Sequence, residues 1–167
     1  MLAKTYSAAV VGIDAFPVEV EIHADRKGAN SPSAVSIVGL PDAAVKESRD
    51  RVRSALQSSG CPLLQGTTVI NLAPADLRKE GAAFDLPIAL VMLAAAGEID
   101  GAKLAGAAVV GELALDGTVR PVRGVLSIAL RMREEKTGRR AARPRRQCTG
   151  SRAGLRPHSG FSGRHPS

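Results

Sequence analysis

The stretch Leu77–Leu90, LRKEGAAFDLPIAL, runs from a Gly-containing loop straight into an apolar helix. A turn of that kind can present a nucleophile, but Ala82, Ala83 and Phe84 occupy the loop where a reactive group is needed. No serine occurs between Ser59 and Ser127. Arg78 and Lys79 precede the loop and could touch an acidic partner; with Glu80 beside them, a solvated loop is the favoured reading. A second basic set, Lys46, Arg49 and Arg53, falls on one helix face and could meet phosphates. Asp42, Glu47 and Asp50 interleave with it, which favours an ordinary solvated face. Asp14, Asp25 and Asp76 have no spacing that pairs them for acid–base work, and Glu112 and Asp116 fit a hairpin. His23 has only His158 and His165 for company, so metal binding is not expected. No stretch matches the phosphate-binding G-x-x-x-x-G-K-[ST] loop: GLPDAAVK lacks the second Gly before Lys46. G-x-G-x-x-G is absent as well. No catalytic, cofactor or metal residue is therefore assigned, and no small-molecule substrate is evident.

These groups sit in a chain of 167 residues, enough for one ordinary domain. With no Trp, one Tyr and three Phe, the core must be built from Ala, Val, Leu and Ile. The formal charge of +7 is unevenly placed. Residues 1–135 hold all 16 acidic residues against 14 Lys and Arg, and the other nine basic residues lie from Lys136 onward. Cys61 and Cys148 offer neither a disulfide framework nor metal-ligand spacing, so a reducing, cytoplasmic setting is the expectation. The apolar run Ala8–Ile13 is too short for a signal-peptide core, and nothing approaches a membrane span.

Periodicity predicts the elements that must position these residues. Residues 4–25 read as two strands about a short turn at Ala15–Phe16, with Val18, Val20 and Ile22 inward and Glu19, Glu21 and His23 outward. AVSIVGL is a third strand. Residues 41–60 are a helix with Pro41 and Asp42 in its first turn and Gly60 at its C-terminus. Val45, Val52 and Leu56 form its apolar stripe, and Glu47 and Arg51 an i,i+4 pair. GTTVINLAP reads as a central strand. Asp85 is expected as the N-cap of an all-apolar, buried helix from Leu86 to Ala96, with Pro87 in its first turn. AAVVGELALDGTVRPV predicts a hairpin turning at Asp116–Gly117, followed by a last helix from Gly124 to about Glu134. The sum is an α/β sandwich in residues 1–135. Residues 136–167 are rich in Arg, Gly, Pro and Ser, and are expected to be a disordered basic tail. Such a tail would bind nucleic acid non-specifically. An out-of-frame reading of a GC-rich gene, in a truncated product, accounts for its composition better.

Three blocks, SIVGLPDAAVKESRDRVRSAL (36–56), INLAPADLRKEGAAFDLPIAL (70–90) and GELALDGTVRPVRGVL (111–126), resemble the N-terminal, ChlI-like domain of the YifB/ComM family of magnesium-chelatase-like AAA+ ATPases. The resemblance covers about residues 1–135. It implies the ribosomal protein S5 domain 2-like fold, shared with the proteolytic domain of Lon-type proteases and the C-terminal domain of the recombination protein RadA. It also implies a parent that uses ATP and Mg for DNA branch migration in natural transformation, through a motor that this chain does not reach. Self-association follows from the rings formed by related folds; DNA is a possible partner and a membrane is not.

Laid on the Lon-type pattern, KEGAAFDLP puts Ala83 at the nucleophilic Ser position, and GELALDGTVRPVRGVL puts Leu126 at the position of its activating Lys. Neither can serve in a Ser–Lys dyad. The expectation is a non-catalytic domain. Its possible contacts to DNA or a partner are Lys46, Arg49, Arg53, Arg78 and Lys79. A Lon-like peptidase and a magnesium chelatase subunit are the disfavoured alternatives.

Overall fold

The computed structural model describes residues 1–25 and 33–141, with side chains through residue 135. β1 (Leu2–Val11) and β2 (Asp14–Asp25) form a long antiparallel hairpin. Its register pairs Val11 with Asp14 and Ala9 with Phe16. The turn is therefore Gly12–Ile13, not Ala15–Phe16 as the sequence reading had it. Gly12, at φ +64°, takes the left-handed conformation that a two-residue turn needs, and neither Ala15 nor Phe16 does so.

β3 (Ala34–Val38), α1 (Ala43–Ser58) and β4 (Thr67–Ala73) make a parallel crossover unit. β4 pairs antiparallel with β2 on its other side, giving a mixed sheet of order β1-β2-β4-β3 with β4 in its interior, as GTTVINLAP predicts. Gly39 closes β3. At φ +100° its missing Cβ would stand 2.1 Å from the Leu72 carbonyl oxygen, so only glycine fits against β4 there.

Val18, Val20, Ile22 and Ala24 of β2 share one core cluster with Ile70 and Leu72 of β4, Val45 and Val52 of α1, and Ile88 and Val91 of α2 (Asp85–Ala96). The alternation expected of β2 thus buries its aliphatic face under two helices. Ala8 and Ala15, pointing to the other face, cluster with Ile128 of α4 (Val125–Ala141). That face also carries polar pairs. Lys4 Nζ donates to Glu19 at 3.2 Å, which raises the lysine pKa, and Asn71 donates to Glu21 at 3.2 Å.

Asp42 caps α1 by accepting from the Val45 N–H at 2.7 Å, and Gly60 closes it at φ +69°. Leu2 to Val110 also holds an element that the sequence reading missed. The short helix α3 (Gly101–Leu104) is capped by Asp100 and leads into residues 107–109, which run beside β1. Tyr6 N–H bonds to the Ala107 carbonyl at 3.1 Å, and Val109 N–H to the Tyr6 carbonyl at 2.7 Å. The start of AAVVGELALDGTVRPV therefore extends the sheet edge instead of joining the hairpin. The hairpin itself is β5 (Glu112–Leu113) and β6 (Val119–Arg120), with Asp116 accepting from the Thr118 N–H at 2.8 Å across the expected turn. Those bonds from Thr118 lower the Asp116 pKa. α4 runs through Ala141, so the boundary expected after Glu135 falls inside a helix; the tail from residue 142 lies outside the described residues.

Candidate functional cleft

The loop that could present a nucleophile is held from three sides. Asp42 bridges two elements: while Oδ1 caps α1, Oδ2 accepts from the Gly81 N–H at 3.3 Å. Lys79 N–H bonds to the Leu40 carbonyl at 3.3 Å, and the Asp42 N–H bonds back to the Lys79 carbonyl at 3.0 Å. The third tie is Gly111, whose N–H donates to the Ala83 carbonyl and whose carbonyl accepts from the Leu86 N–H, both at 3.0 Å. A Cβ on Gly111 would lie 2.9 Å from the tip of the Leu86 side chain and 3.1 Å from its Cβ, so a larger residue would have to push Leu86 aside. Gly81 then turns at φ +80° into a 3-10 turn, Ala82–Phe84, whose Phe84 ring is fully buried.

Asp85 follows, and here the expected N-cap is corrected. Phe84 occupies the cap position and makes no side-chain cap bond. The Asp85 carboxylate is fully buried and faces Arg51 of α1 instead. Arg51 Nε donates to Oδ2 at 2.8 Å and Nη2 to Oδ1 at 3.0 Å, a two-pronged pair. Oδ2 also accepts from the Leu113 N–H at 3.2 Å. Arg51 is further held by the Ala44 carbonyl and the Ser48 hydroxyl, at 2.9 and 3.1 Å. The hydrogen bonds to Asp85 raise the Arg51 pKa, against the opposing pull of burial. One ion pair therefore ties α1, the start of α2 and β5 together beside the loop. The expected Glu47–Arg51 contact exists at 3.5 Å but is the weaker one. A lone acid ahead of the apolar run LPIALVML was the signal that Asp85 needed a buried cation.

The cleft behind this loop has a volume of about 390 Å3. Gly81–Ala83 form one wall and Pro121–Arg123 the other, with Ala8, Val10 and Ile128 at its base. Ala83 thus lines a real cavity, as its loop position suggests. Its lining includes Glu80, Glu112 and Arg123 but no hydroxyl, thiol or amine side chain. Leu126 is 74 % exposed in the first turn of α4 and does not line the cleft. Glu112 is engaged with Arg120 at 3.3 Å, serving the hairpin as expected.

The candidate contact residues separate. Lys46, Arg49 and Arg53 are exposed along α1. Arg49 and Arg53 border a second cleft of about 310 Å3 beside β3, with Asp50 between them and paired to Arg49 at 3.1 Å. That ion pair lies in water and is worth little. Arg78 is exposed and pairs with Glu80 at 3.1 Å. Lys79 must be withdrawn as a contact. Its side chain is fully buried, and its amine donates to the Pro74 carbonyl. Burial lowers its pKa, with Asp76 opposing. The sequence reading placed it in solvent because neighbouring Arg78 and Glu80 are polar; the bonds to Leu40 and Asp42 turn it inward.

Among the described residues, no three His, Cys, Asp or Glu side chains gather as a metal-ligand set. No helix there is long and apolar enough to cross a membrane.

A mixed α/β domain with a loop-and-helix cleft is the class that the fold and this geometry define. The sequence profile described as subunit ChlI of Mg-chelatase matches residues 18–141, and the chain belongs to that family. Its relatives include YifB of Salmonella typhimurium, 44% identical over 128 residues, which are 77% of this chain and 24% of that protein. YifB of Escherichia coli is 45% identical over 128 residues, with the same coverage. The competence protein ComM of Haemophilus influenzae is 43% identical over 135 residues, 81% of this chain and 26% of that protein. The chain therefore spans about a quarter of the length of the curated relatives it matches.

Proposed function

We propose that the chain is the N-terminal, ribosomal-S5-domain-2-like domain of a cytoplasmic ComM/YifB-type AAA+ protein and is non-catalytic by itself. The parent would drive DNA branch migration during natural transformation, with ATP and Mg bound in the portion that this chain does not span. The observation carrying this reading is the 43% identity to a competence protein over 81% of the chain. The cleft supports it: Ala83 stands where the loop would offer a nucleophile, and the lining holds no amine to activate one.

Within the parent, the domain would help to assemble a ring and would engage DNA through Lys46, Arg49 and Arg53 on α1, with Arg78 on the neighbouring loop. The family description favours one second reading, a magnesium chelatase subunit. The residues present do not suit ATP and Mg, since the chain has no phosphate-binding loop and its described part no cluster of three acidic or His ligands.

Gel-shift titration of branched DNA against salt, together with sedimentation, tests the proposal. The chain truncated after Ala141 should still bind, with affinity falling steeply as salt rises, and Lys46→Glu with Arg53→Glu should weaken it about tenfold or more. A chain that neither binds DNA nor self-associates, or that hydrolyses an unfolded protein substrate, would sink the reading.

A further inference from the structure

A different face of the molecule is uncovered. Ile13 at the β1–β2 turn is 85 % exposed, Leu126 74 %, Leu130 47 % and Phe16 41 %. Ile13, Phe16 and Leu130 line one groove of about 420 Å3, and Leu126 lies one turn before Leu130 on α4. Asp14, Arg131 and Glu134 also line it, and Arg131 pairs with Glu134 at 3.6 Å and with Glu135 at 3.0 Å. The groove is apolar at Ile13, Phe16 and Leu130 and has more acidic than basic groups along its edge.

α4 shows why this face needs a cover. Over Val125–Met132 it carries apolar side chains on both sides, with Ser127 and Arg131 among them: Ile128 is buried against Ala8 and Ala15, with Met132 packed against them, while Val125, Leu126 and Leu130 are exposed. A helix with large apolar side chains on two sides is the pattern of one covered on both. Here only one side is buried. The start of the helix lies close against β1, since a Cβ on Gly124, just before it, would meet the Val10 side chain at 2.9 Å.

We infer that this face docks against the portion of the parent polypeptide that follows the ChlI domain, through an apolar surface there. The inference rests on the proposed reading of the chain as one domain of a longer ATPase. Three observations select this occupant. The matched region is about a quarter of each relative, so the domain is joined to a body roughly three times its size. The groove lies on α4, whose last residue, Ala141, is also the last residue of the family match. Residues 142–167 have Leu155 and Phe161 as their only large apolar residues, and cannot supply a matching surface. A second copy fits less well. A handful of side chains falls short of the ~800 Å2 per partner that a free-standing dimer buries. A tethered neighbour needs far less, because the tether itself supplies a millimolar effective concentration.

Amide hydrogen exchange on a graft tests this. Residues 1–141 replace the matched region of Haemophilus influenzae ComM, and the free 167-residue chain serves as the reference. Peptides covering residues 10–17 and 124–132 should exchange about tenfold or more slowly in the graft, while α1 is unchanged. Ile13→Lys with Leu126→Gln, both at exposed positions, should remove that protection and leave the melting temperature of the free chain unmoved. Equal exchange in graft and free chain, or protection that survives the double substitution, would overturn the inference. So would a free chain whose same peptides become protected as its concentration rises, for then a second copy is the occupant. Loss of transformation by a graft with protection intact would count against the proposed function and leave this docking standing.

Discussion

The buried pair Arg51–Asp85 shows how much one contact can carry. Asp85 has no exposed surface, accepts two bonds from Arg51 and a third from Leu113 N–H, and so joins three elements. Arg51→Met should leave a buried carboxylate without its cation and cost about 3–5 kcal/mol in urea unfolding. Arg51→Met combined with Asp85→Leu should recover most of that loss, because no unpaired charge remains. A double variant no better than the single one would refute this account of the site. Lys79 bears on pH. Burial lowers its folded pKa below the ~10.4 of an unfolded lysine, so its protonated form is penalised only in the folded state. That penalty is in force at low and neutral pH and lifts as pH rises through the folded pKa. Lys79→Met should therefore flatten the part of the alkaline rise in stability that this group contributes. The check is the difference in urea midpoint between pH 7 and pH 10 for the two proteins; an unchanged difference would mean that the amine is not desolvated.

At the scale of elements, local chemistry was legible and distant partners were not. Gly60, the apolar α2 and the Asp116–Gly117 turn are each decided by residues within a few positions, and each stands where expected, while Asp42, expected in the first turn of α1, caps it from just outside. The misplaced β1–β2 turn shows the same rule from the other side: Gly12 was the local signal, and it was passed over. Asp85 and Lys79 were misread for a different reason. Asp85 meets a partner 34 positions away, and Lys79 turns inward because Leu40 and Asp42 bond its backbone. No spacing rule reports such contacts. The cleft follows the same division, since Ala83 could be placed on its loop from sequence, whereas Pro121–Arg123 as the facing wall could not. Gly39 offers the sharpest test of an element junction. Gly39→Ala would drive a methyl into the Leu72 carbonyl at an unfavourable φ, and should cost at least about 2 kcal/mol in thermal or urea unfolding. An alanine variant as stable as the parent would mean that β3 and β4 do not meet this way.

For the whole molecule, a mixed sheet covered by α1 and α2 carries a loop whose cleft is lined by no hydroxyl, thiol or amine side chain. It also presents surfaces: the basic residues of α1 on one side, and Ile13, Phe16 and Leu130 in the groove beside α4 on another. The relatives are about four times as long as the region matched. The most direct measurement is the transformation frequency of Haemophilus influenzae in which residues 1–141 of this chain replace the matched region of ComM. The account predicts a frequency near that of the intact strain, and one unaltered by Ala83→Val, which changes the cleft without touching a surface contact. A frequency as low as that of a strain lacking ComM altogether, from a graft that is expressed and folded, would contradict it.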